Sequence, residues 1–243
     1  MTEKPLFHSK LDEPFPIWLI LFIPVYSVLI FSLLVLWPAG NLQWLEGWIF
    51  VGTVALNFTV STIIINQKNP RVLRNRSKFR KEGITAETRR AASSDWFVTP
   101  VLGVGFLGAM VVPALGHRWG WDALPFAVAL AGVIVVNIGF ALMNVATLQN
   151  AFASKLLDIN KDQVLVDTGL YASVRHPLYS GVIVAVLFMP IALGSLWGLL
   201  PALVGAFVIV LRIRFEEEML VGGMDGYVEY QSRVKYKLIP GVY

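Results

Sequence analysis

An all-α, polytopic membrane bundle of about six spanning helices is the fold that the sequence predicts, and three observations carry it. Hydrophobic residues make up 56% of the 243 and charged residues only 15%, whereas a soluble domain carries about 25% charge. Uncharged stretches long enough to cross roughly 30 Å of hydrocarbon recur along the chain. Between them, the basic residues fall into alternate gaps. A mean hydropathy of +0.65 agrees, and a soluble globule is excluded. The chain has no cysteine, so a disulfide, a thiolate metal site and a cysteine nucleophile are excluded as well.

The first uncharged stretch, 17–45, contains a helix of about 20 residues that begins near Ile17 and ends at Trp37-Pro38-Ala39-Gly40-Asn41. Its apolar run is too long for a cleaved signal peptide and the preceding flank mixes both charge signs, so it reads as a spanning helix. Stretches 47–67, 96–117 and 123–154 each supply one more. The last, 176–211, has Pro190, Gly194 and Ser195 in its middle. It therefore reads as two helices joined by a tight turn, each roughly 25 Å long and just short of a bilayer core.

Of the 20 basic residues, 19 lie on one side when the gaps are counted alternately, and only Arg118 lies opposite. The positive-inside rule then places both termini in the cytoplasm and the chain in an inner or plasma membrane as a multi-pass protein. Nine of these residues fall in 68–90, where Phe79 is the one interleaved aromatic. Anionic lipid headgroups suit that segment better than nucleic acid, which is not expected as a partner. The chain reads as one membrane domain, 1–243, made of a two-helix extension (1–67), a basic cytoplasmic loop (68–95) and a core (96–243).

Concentrated polar chemistry lies in the C-terminal third, at Gly169-Leu170-Tyr171-Ala172-Ser173-Val174-Arg175-His176-Pro177-Leu178-Tyr179-Ser180-Gly181 and at Arg212 through Leu220. A helical hairpin over 176–211 returns the chain to the face it left, so Arg175 and His176 at its entrance face Glu216 and Glu217 at its exit, at a cytoplasmic pocket. Arg175 offers a planar fork suited to a carboxylate, and Pro177 suits the first turn of a helix. Plainer readings stand beside these. Arg175 and His176 serve equally as an interfacial anchor, the glutamates as a solvated helix with Arg212–Glu216 and Arg214–Glu218 pairs, and Tyr171 and Tyr179 as belt aromatics. Asn137 and Asn144 share a helical face suited to interhelical bonding or to substrate contact. Gln149 and Asn150 sit at the cytoplasmic end of that helix, within reach of a site. His8, His117 and His176 are scattered, so no metal is expected.

Taken together, these residues resemble a family pattern. GLYASVRHPLYSG resembles the signature Gly-x-Tyr, three variable residues, Arg-His-Pro-x-Tyr-x-Gly of the isoprenylcysteine carboxyl methyltransferase and phospholipid methyltransferase group, and meets every fixed position. Arg212, Glu216, Glu217 and Leu220, with Tyr227, Tyr230 and the closing KYKLIPGVY, resemble the C-terminal signature of the group. The resemblance covers about 144–243 and departs at 221–226, where many members carry an acidic Phe-Gly helix. It implies that 96–243 is a methyltransferase core binding S-adenosylmethionine, with a lipophilic acceptor entering from the bilayer. On that implication Tyr171, Arg175, His176, Pro177, Tyr179, Glu216 and Glu217 form the cofactor pocket, Arg175 and Glu217 carry catalysis, and Asn144 and Asn150 contact substrate. Two other classes remain open. One is an NAD(P)H-dependent membrane reductase of the sterol-reductase type, which tends to carry an Asp and Cys pattern in place of the Glu triplet. The other is a non-enzymatic membrane accessory protein.

Overall fold

The computed structural model describes residues 13–70, 72–73, 86–121, 123–150 and 164–243, with 86–97 as backbone alone. Most of the basic segment 68–90 and part of the gap 155–175 lie outside the described residues. Seven α-helices and no strand occur among the described residues: α1 (Ile17–Ala39), α2 (Leu45–Lys68), α3 (Ala86–Trp119), α4 (Phe126–Gln149), α5 (Pro177–Ala192), α6 (Leu199–Gly223) and α7 (Tyr227–Arg233), with a 3₁₀ turn at Gly169–Ala172 before α5.

Four of these helices, α1, α2, the Val98–Trp119 part of α3, and α4, are long and apolar enough to cross a membrane. At 1.5 Å per residue, the 24 residues of α4 reach about 36 Å, whereas the 16 of α5 reach about 24 Å. The expected hairpin is formed by α5 and α6, and its turn holds Gly194 and Ser195, whose hydroxyl accepts the Trp197 N–H. The third helix is longer than its uncharged stretch, because α3 begins at Ala86 among charged residues. Exposed Leu21, Phe22, Leu29 and Leu33 on α1, and Leu200, Leu203 and Phe207 on α6, give the exterior an apolar coat. Apolar residues outside as well as inside are what a hydrocarbon solvent selects.

The main packed pairs are α1 with α2, α3 with α6, and α4 with α5. Small residues set the last of these. A Cβ added to Gly181 would lie 2.7 Å from the Gly139 carbonyl oxygen, and one added to Gly139 would lie 2.8 Å from that of Gly181. Glycine at both positions lets the two backbones touch. Phe31, Val35, Leu36, Phe50, Val54, Met110, Val136 and Met189 form one continuous core across five helices. Within it a polar latch joins α2 to α4: the Asn57 amide donates to the Asn137 side-chain oxygen at 2.8 Å, while Asn137 donates to its own Val133 carbonyl. Interhelical bonding is thus the role of Asn137.

Element ends gather at two poles. At one, Asn41 meets His117 and the Leu124 N–H donates to Gly194. At the other lie the end of α4, the 3₁₀ turn, the start of α5 and the end of α6, and these carry the polar cluster.

Candidate functional site

His176 is the N-cap of α5 and Pro177 its first residue, so the chain turns into the helix where proline has no N–H to lose. Two backbone donors just before the helix are free for partners outside it. The Arg175 and His176 N–H groups donate to the carbonyls of Tyr236 and Lys237, at 3.0 and 2.8 Å. Ser180 adds a bond from its hydroxyl to Leu238 at 2.7 Å. The strap formed by 234–238 is thereby pinned along the entrance of the hairpin.

Glu217 is the hub. Its Oε1 accepts Arg175 Nε at 2.6 Å and lies 3.3 Å from His176 Nε2, and its Oε2 meets Lys237 Nζ at 2.9 Å. Arg175, His176 and Glu217 are all buried. The Arg175 fork is committed further, because Nη1 donates to the carbonyls of Val234 at 2.6 Å and Lys235 at 3.0 Å. Read from sequence as a clamp on a cofactor carboxylate, this guanidinium cross-links α5, α6 and the strap. Burial pushes the Glu217 carboxyl up, but hydrogen bonds from His176, Arg175 and Lys237 outweigh it and bring its pKa down to about 2.

A group whose folded pKa is depressed stabilises the protein above its unfolded pKa and loses that contribution as pH falls toward the folded value. With an ordinary value of 4.5 and a folded value of about 2, the loss falls in that window. Melting in detergent is therefore expected to drop steeply below about pH 4.5, and Glu217→Gln to flatten the drop. An unchanged profile in the variant would remove Glu217 as its source.

The second carboxylate sits one position back and faces another partner. The Tyr179 hydroxyl donates to Glu216 at 2.6 Å and accepts Arg212 Nε at 2.9 Å, and the Tyr179 ring stacks on His176 with centroids 5.8 Å apart. Glu218 is exposed, as its place about 100° round the helix from Glu217 requires.

Tyr171 is buried in the 3₁₀ turn, which opens on Gly169 at φ 62°. A side chain there would be strained and would run into the Gln149 amide, which accepts the Leu170 N–H at 2.9 Å. Burial pushes the Tyr171 hydroxyl up to about 12, against a hydrogen bond with Asn150. Its carbonyl accepts the Tyr230 hydroxyl at 2.7 Å, tying α7 to the turn. Asn150 therefore joins the site through Tyr171, whereas Asn144 is half-buried on α4 outside the ion-pair cluster. No group of three or more potential metal ligands occurs among the described residues.

Lys237 and the carbonyls of 234–237 are the site members that sequence reasoning missed. The closing KYKLIPGVY carried the signal only as alternating lysines, with nothing local to tie it to residue 175.

Two of the neighbouring hydroxyls differ in one respect. Tyr230 is bonded, but Tyr227, which is 3% exposed, has a buried hydroxyl that no described group meets.

No curated protein matches the chain. Residues 128–222 match the family model described as isoprenylcysteine carboxyl methyltransferase (ICMT). The matched segment runs from the first turn of α4 to the end of α6, and so contains the 3₁₀ turn, the Arg175-His176-Pro177 entrance and both buried-side glutamates. Over this segment, and not over the chain as a whole, the protein is similar to the isoprenylcysteine carboxyl methyltransferase family.

Proposed function

We propose that the protein transfers a methyl group from S-adenosylmethionine to a lipophilic carboxylate at the cytoplasmic face of the membrane. The observation that supports this best is the ionic cluster joining hairpin entrance to hairpin exit inside the family segment. The residues fit the cofactor chemically. Arg175 and Lys237 stand against Glu217, and Arg212 is joined to Glu216 through the Tyr179 hydroxyl, a mixed-sign group suited to an amino acid end that carries both charges. The unmet Tyr227 hydroxyl adds a buried polar group in want of a partner.

Arg175, His176, Tyr179 and Glu216 would hold the cofactor, with Tyr171 and Asn150 beside them and Pro177 fixing the start of the helix that presents them. When bound, S-adenosylmethionine supplies a methyl group on a cationic sulfur. The contribution of the chain is to position and to exclude water, and those effects account for most of the acceleration that such a displacement needs. Glu217 does this indirectly, by keeping Arg175, His176 and Lys237 in place.

A carboxylate is the favoured acceptor class because both carboxylates of the cluster are already engaged. Glu217, at a pKa of about 2, is too weakly basic to take a proton from an ammonium, and Glu216 already accepts the Tyr179 hydroxyl. An amine acceptor needs a proton removed, whereas a carboxylate is ionised at pH 7. Asn144, half-buried on α4, is the group proposed to meet the acceptor as it enters from the bilayer.

Calorimetry of the purified protein in detergent is expected to show S-adenosylhomocysteine binding at micromolar Kd, about −8 kcal/mol, and no NADPH binding. Binding of NADPH alone would replace the methyltransferase with the reductase. With radiolabelled methyl donor and membrane lipid extract, label is expected in a base-labile methyl ester, and label in an amine would overturn the carboxylate assignment. The proposed topology, six spans with both termini cytoplasmic, is tested by reporter fusions at Met1, Lys81, Arg118 and Tyr243. Arg118 alone is expected to report the far side, and agreement between Arg118 and Lys81 would refute it.

A further inference from the structure

We infer that the hydroxyl of Tyr227 is a binding group for the S-adenosyl cofactor, which supplies the hydrogen bond that the folded chain alone leaves unmade. The inference rests on the methyl-donor reading above and adds a residue from outside the matched segment. Tyr227 opens α7, following Gly226 at φ 77°, and its ring is packed among Tyr230, Val234, Leu165, Leu220 and Met224. Such packing accounts for a phenyl ring. It does not account for an oxygen, because a buried polar atom without a partner costs stability that phenylalanine at the same position would not.

The surroundings of that oxygen point to a ligand rather than to an accident of packing. Val234, in the same packed group as the Tyr227 ring, gives its carbonyl to Arg175 Nη1 at 2.6 Å, so Tyr227 lies one residue from the ionic cluster. The neighbouring tyrosine shows what a purely architectural hydroxyl does at this place: Tyr230, with its ring centroid 5.7 Å away, spends its O–H on the Tyr171 carbonyl. Tyr227 has the same burial, and the same helix presents it, but its O–H is spent on none of the described groups. A polar group of the cofactor lying beside the Arg175 end of the cluster would complete it.

The two roles separate in a pair of variants, Tyr227→Phe and Tyr230→Phe, each compared with the wild type for the melting temperature of the ligand-free protein and for S-adenosylhomocysteine affinity by calorimetry. For Tyr227→Phe the ligand-free melting temperature is expected to stay or rise, while affinity falls roughly tenfold, the loss of one ligand hydrogen bond. For Tyr230→Phe the melting temperature is expected to fall. Unchanged affinity in Tyr227→Phe overturns the inference. So does a ligand-free melting temperature that falls as it does for Tyr230→Phe, or a Tyr227→Phe protein that does not fold, since either result means that the hydroxyl has a structural partner. If the wild type itself binds no S-adenosylhomocysteine, the methyl-donor reading fails first, and that outcome is distinct from both.

Discussion

Glu217→Gln is expected to lower the melting temperature in detergent by roughly 10 °C, the equivalent of about 3–5 kcal/mol for breaking one member out of a buried ionic cluster. Glutamine keeps the shape and one acceptor oxygen but removes the charge. Arg175 and Lys237, which converge on the two carboxylate oxygens at 2.6 and 2.9 Å, are then left with no negative charge between them. Glu218→Gln, on the exposed side of the same turn, is the control and is expected to change stability by less than about 0.5 kcal/mol. Equal, small shifts from the two variants would mean that the cluster is an ordinary headgroup anchor.

The second large effect is expected from Arg175→Lys, although charge is conserved. An ammonium reaches Glu217 but cannot also donate along the fixed directions that hold the carbonyls of Val234 and Lys235. Losing the charge-assisted bonds that Arg175 is proposed to make to the cofactor, worth about 1.5–3 kcal/mol, predicts a fall in S-adenosylhomocysteine affinity of roughly 10–150-fold. The strap should loosen at the same time, so cleavage by trypsin at Lys235 and Lys237 is expected to quicken. Weakened binding with an unaltered cleavage rate would separate Arg175 from the strap.

Elements governed by local chemistry were legible in the sequence. Ile17 and Ala39 bound α1 as expected from the Trp37-Pro38-Ala39-Gly40 ending, and the hairpin turns at Gly194 and Ser195. Helical periodicity set Glu218 apart from the two glutamates that the hairpin faces inward, and Glu217 is buried, Glu216 half-buried and Glu218 exposed. Two things were not legible. The start of α3 at Ala86 lies inside a charged stretch that hydropathy counts as loop, because a helix that leaves the membrane need not end there. The strap lies 59 residues beyond Arg175 in sequence and is held by backbone carbonyls, which every residue possesses and which therefore leave no trace in residue identity. The fork of Arg175 is legible in its residue type. What it grips lies beyond any local pattern.

The Asn57–Asn137 bond bears on how far the matched segment can be treated as a transferable unit. Asn137 belongs to residues 128–222 and Asn57 does not, so the family segment depends for part of its hydrogen bonding on a helix the family match does not include. In hydrocarbon no water takes the place of a missing amide. A chimera that grafts residues 96–243 onto another membrane anchor would therefore inherit an asparagine oxygen with no donor. Swapping Asn137 for leucine in the same graft is the natural repair. The first two helices are, in this sense, a lodger whose departure has to be engineered for, and any truncation meant to find the smallest active fragment should begin from that residue rather than from the boundary of the match.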